Sequence, residues 1–268
     1  MAHPIHALDS FFYSSMGVYE FQTQCEMLAE LGYDGITVSA WGGTPLTDLT
    51  LLPSVKNNYG LKVDALYLVL HEGRNDAVLR RIVDTVEGVA LIELAVQTSV
   101  NGSDAILRFI ESILPIAERR GLRIALYPHL HHVTQTTTQV VQICEHFNHP
   151  RLGASFNGYH WYASQEGELE KCLQAMKPWL MQVVTSGSAL SQLGWGGVAT
   201  MEPVDRGEMD NFALIAALDR IGYGGSIGML GWDYGGDIYL KLQRCLTTLR
   251  DIDRRLEVHP DWAAFPLK

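Results

Sequence analysis

The sequence predicts an α/β protein of the (β/α)8 TIM-barrel class, folded as a single domain over residues 1–268. Short apolar runs alternate along the chain with segments of helical periodicity, and eight strand-then-helix units can be counted. Parallel strands joined by helices form either an open doubly wound sheet or a closed barrel, and eight units in 268 residues favour the barrel. We expect the barrel over residues 5–256 and a tail over residues 257–268.

Eight apolar or alternating runs are predicted to be the barrel strands. They cover residues 5–12, 35–40, 63–70, 89–97, 123–129, 152–157, 180–185 and 225–232. Glu93 lies inside the fourth run, where side chains alternate between the two faces of the strand. Its carboxylate faces either the barrel interior or a helix outside, and we expect the outward orientation.

The helices are predicted from apolar side chains at i, i+3, i+4 and i+7, as for Phe21, Cys25 and Leu28. Ser103 and Asp210 are predicted to cap the fourth and seventh helices. Glycines that take the left-handed conformation are expected to end five helices, at Gly32, Gly60, Gly88, Gly121 and Gly222.

Residues 186–207 interrupt this alternation, because they are rich in Gly, Ser and Trp and show no clear period. We predict a long loop here. Loops of this length are uncommon in compact domains and often serve as lids or binding loops.

Composition limits the class of protein and its partners. With 47% hydrophobic and 19% charged residues the chain is globular, and no apolar run approaches the roughly 20 residues of a membrane helix. The N-terminus lacks the pattern of a secretory signal, so we expect a cytoplasmic protein. A net charge of -10 argues against nucleic acid, and four distant cysteines without paired spacing argue against a zinc site. Small molecules are the expected partners.

The candidate catalytic residues are two histidines that follow predicted strands, where the loops of a barrel converge on its mouth. Two interpretations of His129 stay open. Its imidazole either binds or protonates a ligand hydroxyl, or it is a purely structural histidine. His160 is expected to be functional, because it closely follows the sixth strand and Asn157. His131 and His132 are expected to be structural, since adjacent residues of an extended segment point to opposite sides and only His129 and His131 would share a face.

Several stretches resemble the xylose isomerase-like TIM barrels. They are L-G-Y-D-G-I after the first helix, R-I-A-L-Y-P-H, L-G-A-S-F-N-G-Y-H-W, and D-R-G-E-M-D followed by L-D-R-I-G-Y-G-G-S-I-G. The resemblance runs from about Gly17 to Asp237. This family includes sugar and sugar-phosphate isomerases and epimerases and a metal-dependent endonuclease branch. The resemblance implies a carbohydrate ligand and proton transfer next to a carbonyl of a keto-sugar or related polyol.

The resemblance also defines expected metal positions. In catalytic members a Glu, an Asp, a His and a Glu at the ends of strands five to eight hold a divalent metal. The matching positions here are Tyr127, Asn157, Thr185 or a neighbour, and 230–232, while His160 keeps its place in the family's D-x-x-H turn. Because a hard cation needs anionic oxygen, we expect no tight binding of Mn, Mg or Zn and predict no metal ligands.

The remaining candidates are expected to bind substrate, because they fall near strand ends or in the long loop. Aromatic rings suit the apolar faces of sugars, and an Arg fork suits anionic oxygens. An ion pair between Asp205 and Arg206 is the structural alternative for that loop. The predicted substrate-binding residues are Trp41, His71, Tyr127, Asn157, Arg206, Trp232 and Asp233.

Two functional hypotheses therefore stay open. One is a sugar isomerase or epimerase, and the other is a non-catalytic sugar-binding protein or partner subunit on a degenerate barrel. An endonuclease would need a cluster of metal ligands and a basic face, which the sequence does not display, and no phosphate-binding glycine motif favours a phosphorylated sugar. We expect a homodimer, because soluble oligomers are commonly symmetric and the tail from Trp262 to Leu267 is apolar.

Overall fold

The structure, a computed structural model, describes residues 3–13, 15–40, 46–232 and 235–263. Its strands are β1 (Ile5–Leu8), β2 (Gly35–Ser39), β3 (Lys62–Glu72), β4 (Leu91–Ser99), β5 (Arg123–Leu126), β6 (Leu152–Asn157), β7 (Leu180–Thr185), β8 (Gly187–Trp195), β9 (Ala199–Glu202) and β10 (Ile227–Met229). Eight of them close into a parallel barrel in the order β1-β2-β3-β4-β5-β6-β7-β10. The predicted TIM-barrel class is confirmed.

The helices that surround the barrel are α1 (Phe21–Leu31), α2 (Leu52–Tyr59), α3 (Asp76–Thr85), α4 (Ser103–Arg120), α5 (Thr137–Phe147), α6 (Gly158–Ala163), α7 (Leu169–Met176), α8 (Asn211–Ile221) and α9 (Ile238–Val258). Short 3-10 turns cover Asp9–Phe12, Leu46–Leu51 and Pro260–Ala263. Among the described residues, no helix has the length and apolarity needed to cross a bilayer.

Three of the predicted strands were too long at their carboxyl ends. β1 ends at Leu8, because residues 9–12 turn into a 3-10 helix. β5 ends at Leu126, shortly before Pro128, which has no N–H to donate to a strand ladder. β10 ends at Met229. The shorter strands bring the following polar residues into the loops of the mouth.

The two faces of β4 show how the strands divide the core. Ile92, Leu94 and Val96 belong to the large apolar core shared with the helices. Ala95 instead packs with tyrosines inside the barrel. Glu93 shares that inner face and accepts a hydrogen bond from Ser155 Oγ at 2.6 Å, so the expected outward orientation was wrong.

The predicted left-handed glycine ends are confirmed for four helices, at Gly32, Gly60, Gly121 and Gly222. The prediction for Gly88 was wrong, because α3 already ends at Thr85. Gly88 does have a φ of 77°, and a Cβ there would lie 2.5 Å from the backbone nitrogen of Pro53. Close approach of two backbones, rather than a helix end, explains this glycine.

One of the two predicted N-caps is confirmed. The Asp210 side chain accepts a hydrogen bond from the Ala213 amide at 3.0 Å and begins α8. Ser103 does not cap α4, because the cap position is Gly102 and Ser103 is the first residue inside the helix.

Most of the predicted long loop is a β-hairpin. β8 and β9 form a two-stranded antiparallel sheet, so the prediction of a loop without regular structure was wrong. The strands are joined at Gly196 and Gly197, whose φ angles are 64° and 72°. Two consecutive positive φ angles are typical of the type I′ turn, which matches the twist of paired strands.

Candidate functional site

A cavity of about 110 Å³ lies at the carboxyl ends of the barrel strands. This is the end at which TIM barrels carry their functional sites, because the βα loops meet there. The lining residues are polar or aromatic for the most part, and none of those described is Asp, Glu, Lys or Arg. They are Leu8, Ser10, Tyr13, Ser39, Tyr67, Gln97, Tyr127, His129, His132, His160, Trp195, Met201, Leu230 and Trp232.

Three histidines form a stack on one side of this cavity. The ring centroids of His129 and His132 are 3.7 Å apart, and those of His129 and His160 are 3.9 Å apart. Trp195 of the hairpin meets the His129 ring edge-on, with centroids 5.4 Å apart. The hairpin therefore covers the histidine stack.

The turn after β5 explains which histidines meet. His131 has a φ of 65°, and the His132 amide donates to the His129 carbonyl at 3.0 Å. Since the chain turns here instead of staying extended, the expectation that His129 and His131 share a face was wrong. His131 points away to the hairpin, where its Nε2 lies 3.4 Å from the Gly196 carbonyl oxygen.

The backbone of one residue, Leu130, contacts two of the stacked rings through its two flanking peptide groups. The Leu130 carbonyl lies 2.8 Å from His129 Nδ1, and the Leu130 amide lies 3.3 Å from His160 Nδ1. Among the described residues, none hydrogen-bonds to Nε2 of either ring. Because both rings line the cavity, these Nε2 atoms are available to a ligand in it.

The stacked histidines are held in their neutral forms. Burial lowers the pKa of His129 to about 4 and that of His132 to about 3. Burial, reinforced by the neighbouring imidazoles, lowers the pKa of His160 well below its usual value. At neutral pH the three rings are therefore uncharged hydrogen-bonding groups.

Asp9 lies behind one wall of the cavity. Its carboxylate accepts hydrogen bonds from the Tyr13 hydroxyl at 2.7 Å, the Ser39 amide at 2.8 Å and the Ser39 hydroxyl at 2.8 Å. Burial raises the pKa of Asp9 to about 6, although these hydrogen bonds oppose the shift. Asp9 thus positions two side chains that line the cavity.

The carboxylate of Glu72, at the end of β3, is occupied by hydrogen bonds within the protein. It accepts hydrogen bonds from the Ser99 hydroxyl, the Val100 amide, and the amide and side chain of Asn101. The Asn101 side chain, with these other donors, lowers the pKa of Glu72. This carboxylate holds the loop after β4.

The structure places four of the predicted site residues around the cavity, namely Tyr127, His129, His160 and Trp232. Asn157 lies beside them but is fully buried. Its Nδ2 donates to the Tyr127 hydroxyl, and its Oδ1 accepts from the His160 amide at 3.1 Å and so caps α6.

The other predicted residues lie away from the cavity or fall outside the described residues. His71 is half-buried at the end of β3, with Nδ1 3.2 Å from the Thr98 hydroxyl, and does not line the cavity. Arg206 is exposed in the turn after β9. Trp41 and Asp233 fall outside the described residues.

The proposed alternative of an ion pair between Asp205 and Arg206 is replaced by another pair. Asp205 accepts a hydrogen bond from Arg244 Nε of α9 at 2.6 Å. This exposed pair connects the turn after β9 to the last helix.

Ten of the fourteen lining residues were not among the predicted site residues, and they include Ser10, Tyr13, Ser39, Tyr67 and Gln97. His132, which was expected to be structural, also lines the cavity. The strand-end rule that selected His129 applies equally to Ser39 and Gln97. Ser10 was hidden because the first strand was predicted to run to residue 12. Its hydroxyl is buried and has no hydrogen-bond partner in the described part of the chain, so it is available to a ligand.

The closed parallel barrel with its cavity at the carboxyl ends of the strands defines a TIM barrel with its site in the usual place. The family model described as "Xylose isomerase-like TIM barrel" matches residues 25–249, and the chain belongs to this family. The resemblance seen in the sequence is thereby confirmed. Among curated proteins no match is found.

Solved structures share the fold at low sequence identity. A D-allulose 3-epimerase from Methylomonas sp., in complex with D-allulose, is 17% identical with a TM-score of 0.72, covering 94% of this chain and 99% of that one. The IOLI protein with a binding zinc atom is 16% identical with a TM-score of 0.75, covering 93% and 97%.

A xylose isomerase-like TIM barrel/4-hydroxyphenylpyruvate dioxygenase fusion protein is 16% identical with a TM-score of 0.79. The match covers this whole chain but only 45% of the fusion protein. At these identities the likeness concerns the fold.

The residues at the family's metal positions do not fit a divalent cation. The oxygen of Tyr127 and the amide of Asn157 are engaged with each other, and Asn157 also caps a helix. Thr185 donates to Asn211 Oδ1 at 2.6 Å, and Leu230 has an alkyl side chain. Among the described residues, no group of three or more His, Cys, Asp or Glu side chains could hold a metal.

Proposed function

We propose that the cavity binds an uncharged, hydroxylated ring compound, namely a sugar or a related polyol. The observation that carries this proposal is the combination of aromatic and neutral polar groups around one cavity. Five aromatic side chains line it, and they are Tyr13, Tyr67, Tyr127, Trp195 and Trp232. Aromatic faces cover the apolar face of a sugar ring, while neutral hydrogen-bonding groups meet its hydroxyls.

The polar groups support an uncharged ligand. The Ser10 hydroxyl and Nδ1 of His132 are buried without hydrogen-bond partners in the described residues, which is costly unless a ligand or water meets them. Because the described lining has no cation, a phosphate or carboxylate would find no counter-charge. The binding of D-allulose by a structural relative is consistent with this ligand class.

A second candidate function is the isomerisation or epimerisation of a keto-sugar. It is favoured by the two imidazoles of His129 and His160, which lie side by side at the mouth. A neutral imidazole would then accept and return the transferred proton. A pKa of about 4 makes His129 a weak base, so the structure supports binding more strongly than turnover.

Calorimetric titration with a panel of ketoses, aldoses and polyols tests the binding proposal. We expect at least one uncharged sugar to bind and its phosphate ester to bind at least about tenfold more weakly, because the ester has no counter-charge in the cavity. Failure of every carbohydrate to bind would refute the proposal.

Proton exchange separates the two candidate functions. In deuterated water, an isomerase or epimerase that acts by proton abstraction exchanges the hydrogen on the carbon next to the carbonyl for deuterium. NMR detects this exchange. Binding without exchange is the result that we expect. Exchange that disappears in His129→Gln would instead establish the second function.

A further inference from the structure

The backbone of Leu130 contacts two histidines, one through its carbonyl and the other through its amide. A backbone carbonyl can only accept a hydrogen bond, so Nδ1 of His129, 2.8 Å away, must carry a proton. A backbone amide can only donate, so Nδ1 of His160, 3.3 Å away, must present its lone pair. The backbone of this one residue therefore requires opposite protonation at Nδ1 of the two neighbouring rings.

We propose that the backbone amide and carbonyl of Leu130 fix His129 and His160 in opposite tautomers, so that the cavity offers one acceptor and one donor side by side. The acceptor is Nε2 of His129, and the donor is the Nε2–H of His160. A carbonyl oxygen next to a hydroxyl group has the complementary pattern, since the carbonyl accepts and the hydroxyl donates. The ligand edge that fits is an α-hydroxycarbonyl.

Neutral rings are required for this arrangement, because a protonated imidazole donates from both nitrogens. Burial lowers the pKa of both histidines, to about 4 for His129 and well below its usual value for His160. The ring centroids are only 3.9 Å apart, so two charges would repel each other strongly. Both rings are consequently neutral at pH 7.

The surrounding structure holds the backbone of Leu130 in place. The His129 amide donates to the Thr134 carbonyl at 3.0 Å, and the Val133 amide donates to the Val96 carbonyl of β4 at 2.9 Å. The Thr134 hydroxyl accepts from the Val96 amide at 3.2 Å. The turn is thereby anchored to the barrel on both sides of Leu130.

His160 is held independently of that turn. Its amide donates to Asn157 Oδ1 in the first turn of α6. The ring is 3% exposed and meets Tyr127 edge-on, with centroids 5.8 Å apart. With both rings fixed, the donor and acceptor cannot exchange by simple rotation.

Nitrogen NMR of ¹⁵N-histidine protein tests the tautomers directly, because protonated and unprotonated ring nitrogens have well-separated shifts. The His129→Gln and His160→Gln variants identify the two rings by loss of signal. At pH 7 we expect the proton on Nδ1 of His129 and on Nε2 of His160. The same tautomer in both rings, or a charged ring, would overturn the proposal.

A matched pair of variants tests the role of the Leu130 backbone. Leu130→Pro removes the amide donor, whereas Leu130→Ala keeps both peptide groups and loses a similar part of the buried side chain. We expect His160 to lose its single tautomer in Leu130→Pro only. If the proline variant does not fold, the spectrum of the unsubstituted protein still decides the question.

The ligand edge is tested with hydroxyacetone, 1,2-propanediol and acetone, which differ only in the carbonyl and hydroxyl groups. We expect NMR titration to give hydroxyacetone an affinity about tenfold above either analogue, because each analogue leaves one group unpaired. Equal affinities would contradict the α-hydroxycarbonyl match.

This inference rests on the proposed sugar site, but the two fail separately. Opposite tautomers in a protein that binds no carbohydrate would refute the proposed function. Sugar binding by rings that share one tautomer would refute the role of Leu130 and leave the proposed function standing.

Discussion

Asn157 lies at the end of β6, next to the cavity, yet both ends of its amide are used inside the protein. Its oxygen caps α6 and its nitrogen donates to the Tyr127 hydroxyl. The sequence predicts that this residue binds substrate, and the structure places it beside the lining residues Tyr127 and His160. The sequence could not reveal these internal partners, because Tyr127 comes from another strand and the cap depends on where α6 begins.

We predict that Asn157→Ala destabilises the protein by about 1–3 kcal/mol, since the cap is lost and a buried hydroxyl is left unpaired. Asn157→Ser keeps a capping oxygen and should lose less. Urea denaturation measures both values. An alanine variant of unchanged stability with weakened sugar binding would make Asn157 a ligand-binding residue instead.

Glu93 shows a different limit of residue-scale prediction. Alternation along β4 allows two orientations of the side chain. Ser155 lies on β6, which β5 separates from β4, and only closure of the barrel shows that the carboxylate meets this serine inside. Its Oε2 atom has no hydrogen-bond partner among the described residues. Burial raises the pKa of Glu93 from an ordinary 4.5 to about 7, so the folded state favours the protonated acid.

The pH dependence follows from this raised pKa. Below pH 4.5 Glu93 is protonated in both states, and between pH 4.5 and about 7 only the folded state keeps the proton. Its contribution to stability is therefore lost as the pH rises through this range, by at most about 3 kcal/mol. Relative to the unsubstituted protein, the Glu93→Gln variant should become more stable by a similar amount between pH 4.5 and 8.

Denaturation of both proteins at several pH values measures this difference, in which the other titrating groups largely cancel. Glu111→Gln, on the exposed face of α4, is the matched control and should show no such trend. A difference between Glu93→Gln and the unsubstituted protein that stays constant with pH would contradict the raised pKa.

The β8–β9 hairpin is the element that the sequence described least well. Its residues are rich in Gly and Ser and lack a strong alternation of apolar and polar side chains. A signal was nevertheless present, since Gly196–Gly197 is a dipeptide typical of two-residue hairpin turns. The helices were predicted better, because their buried stripes against the barrel repeat over several turns.

Trp195 of this hairpin is expected to contribute to ligand binding, because it lines the cavity and contacts the His129 ring. Trp195→Ala should weaken sugar binding about tenfold, which corresponds to about 1.4 kcal/mol. Leu193→Ala is the control, since that side chain is 97% exposed in the same hairpin. Equal effects of the two changes in calorimetry would refute a direct role of Trp195.

For the whole molecule, the eight strand-helix units were sufficient to predict the closed barrel. Each parallel strand needs a crossover to return the chain, and this requirement leaves a regular trace in the sequence. The site left a weaker trace. Residues from β1 through to the segment after β10 converge on the cavity. Their mutual contacts depend on closure of the barrel rather than on any local pattern.

We also predict a homodimer at micromolar concentration. Trp262, in the last turn of the described chain, is 53% exposed although it stacks on His259 at 3.8 Å. A large apolar side chain exposed beside a folded helix favours burial against a partner. Sedimentation velocity should show a dimer that Trp262→Ala weakens, and a monomer would refute the prediction.

The central claim is that this barrel binds an uncharged sugar through neutral groups and without a divalent cation. Calorimetric titration of EDTA-treated protein and of protein supplied with Mn²⁺, each with the same keto-sugar, tests it most directly. We predict equal affinity in both, since the residues at the family's metal positions are engaged with one another or apolar. Sugar binding that requires Mn²⁺, together with stoichiometric metal held through Asn157 or His160, would contradict the account.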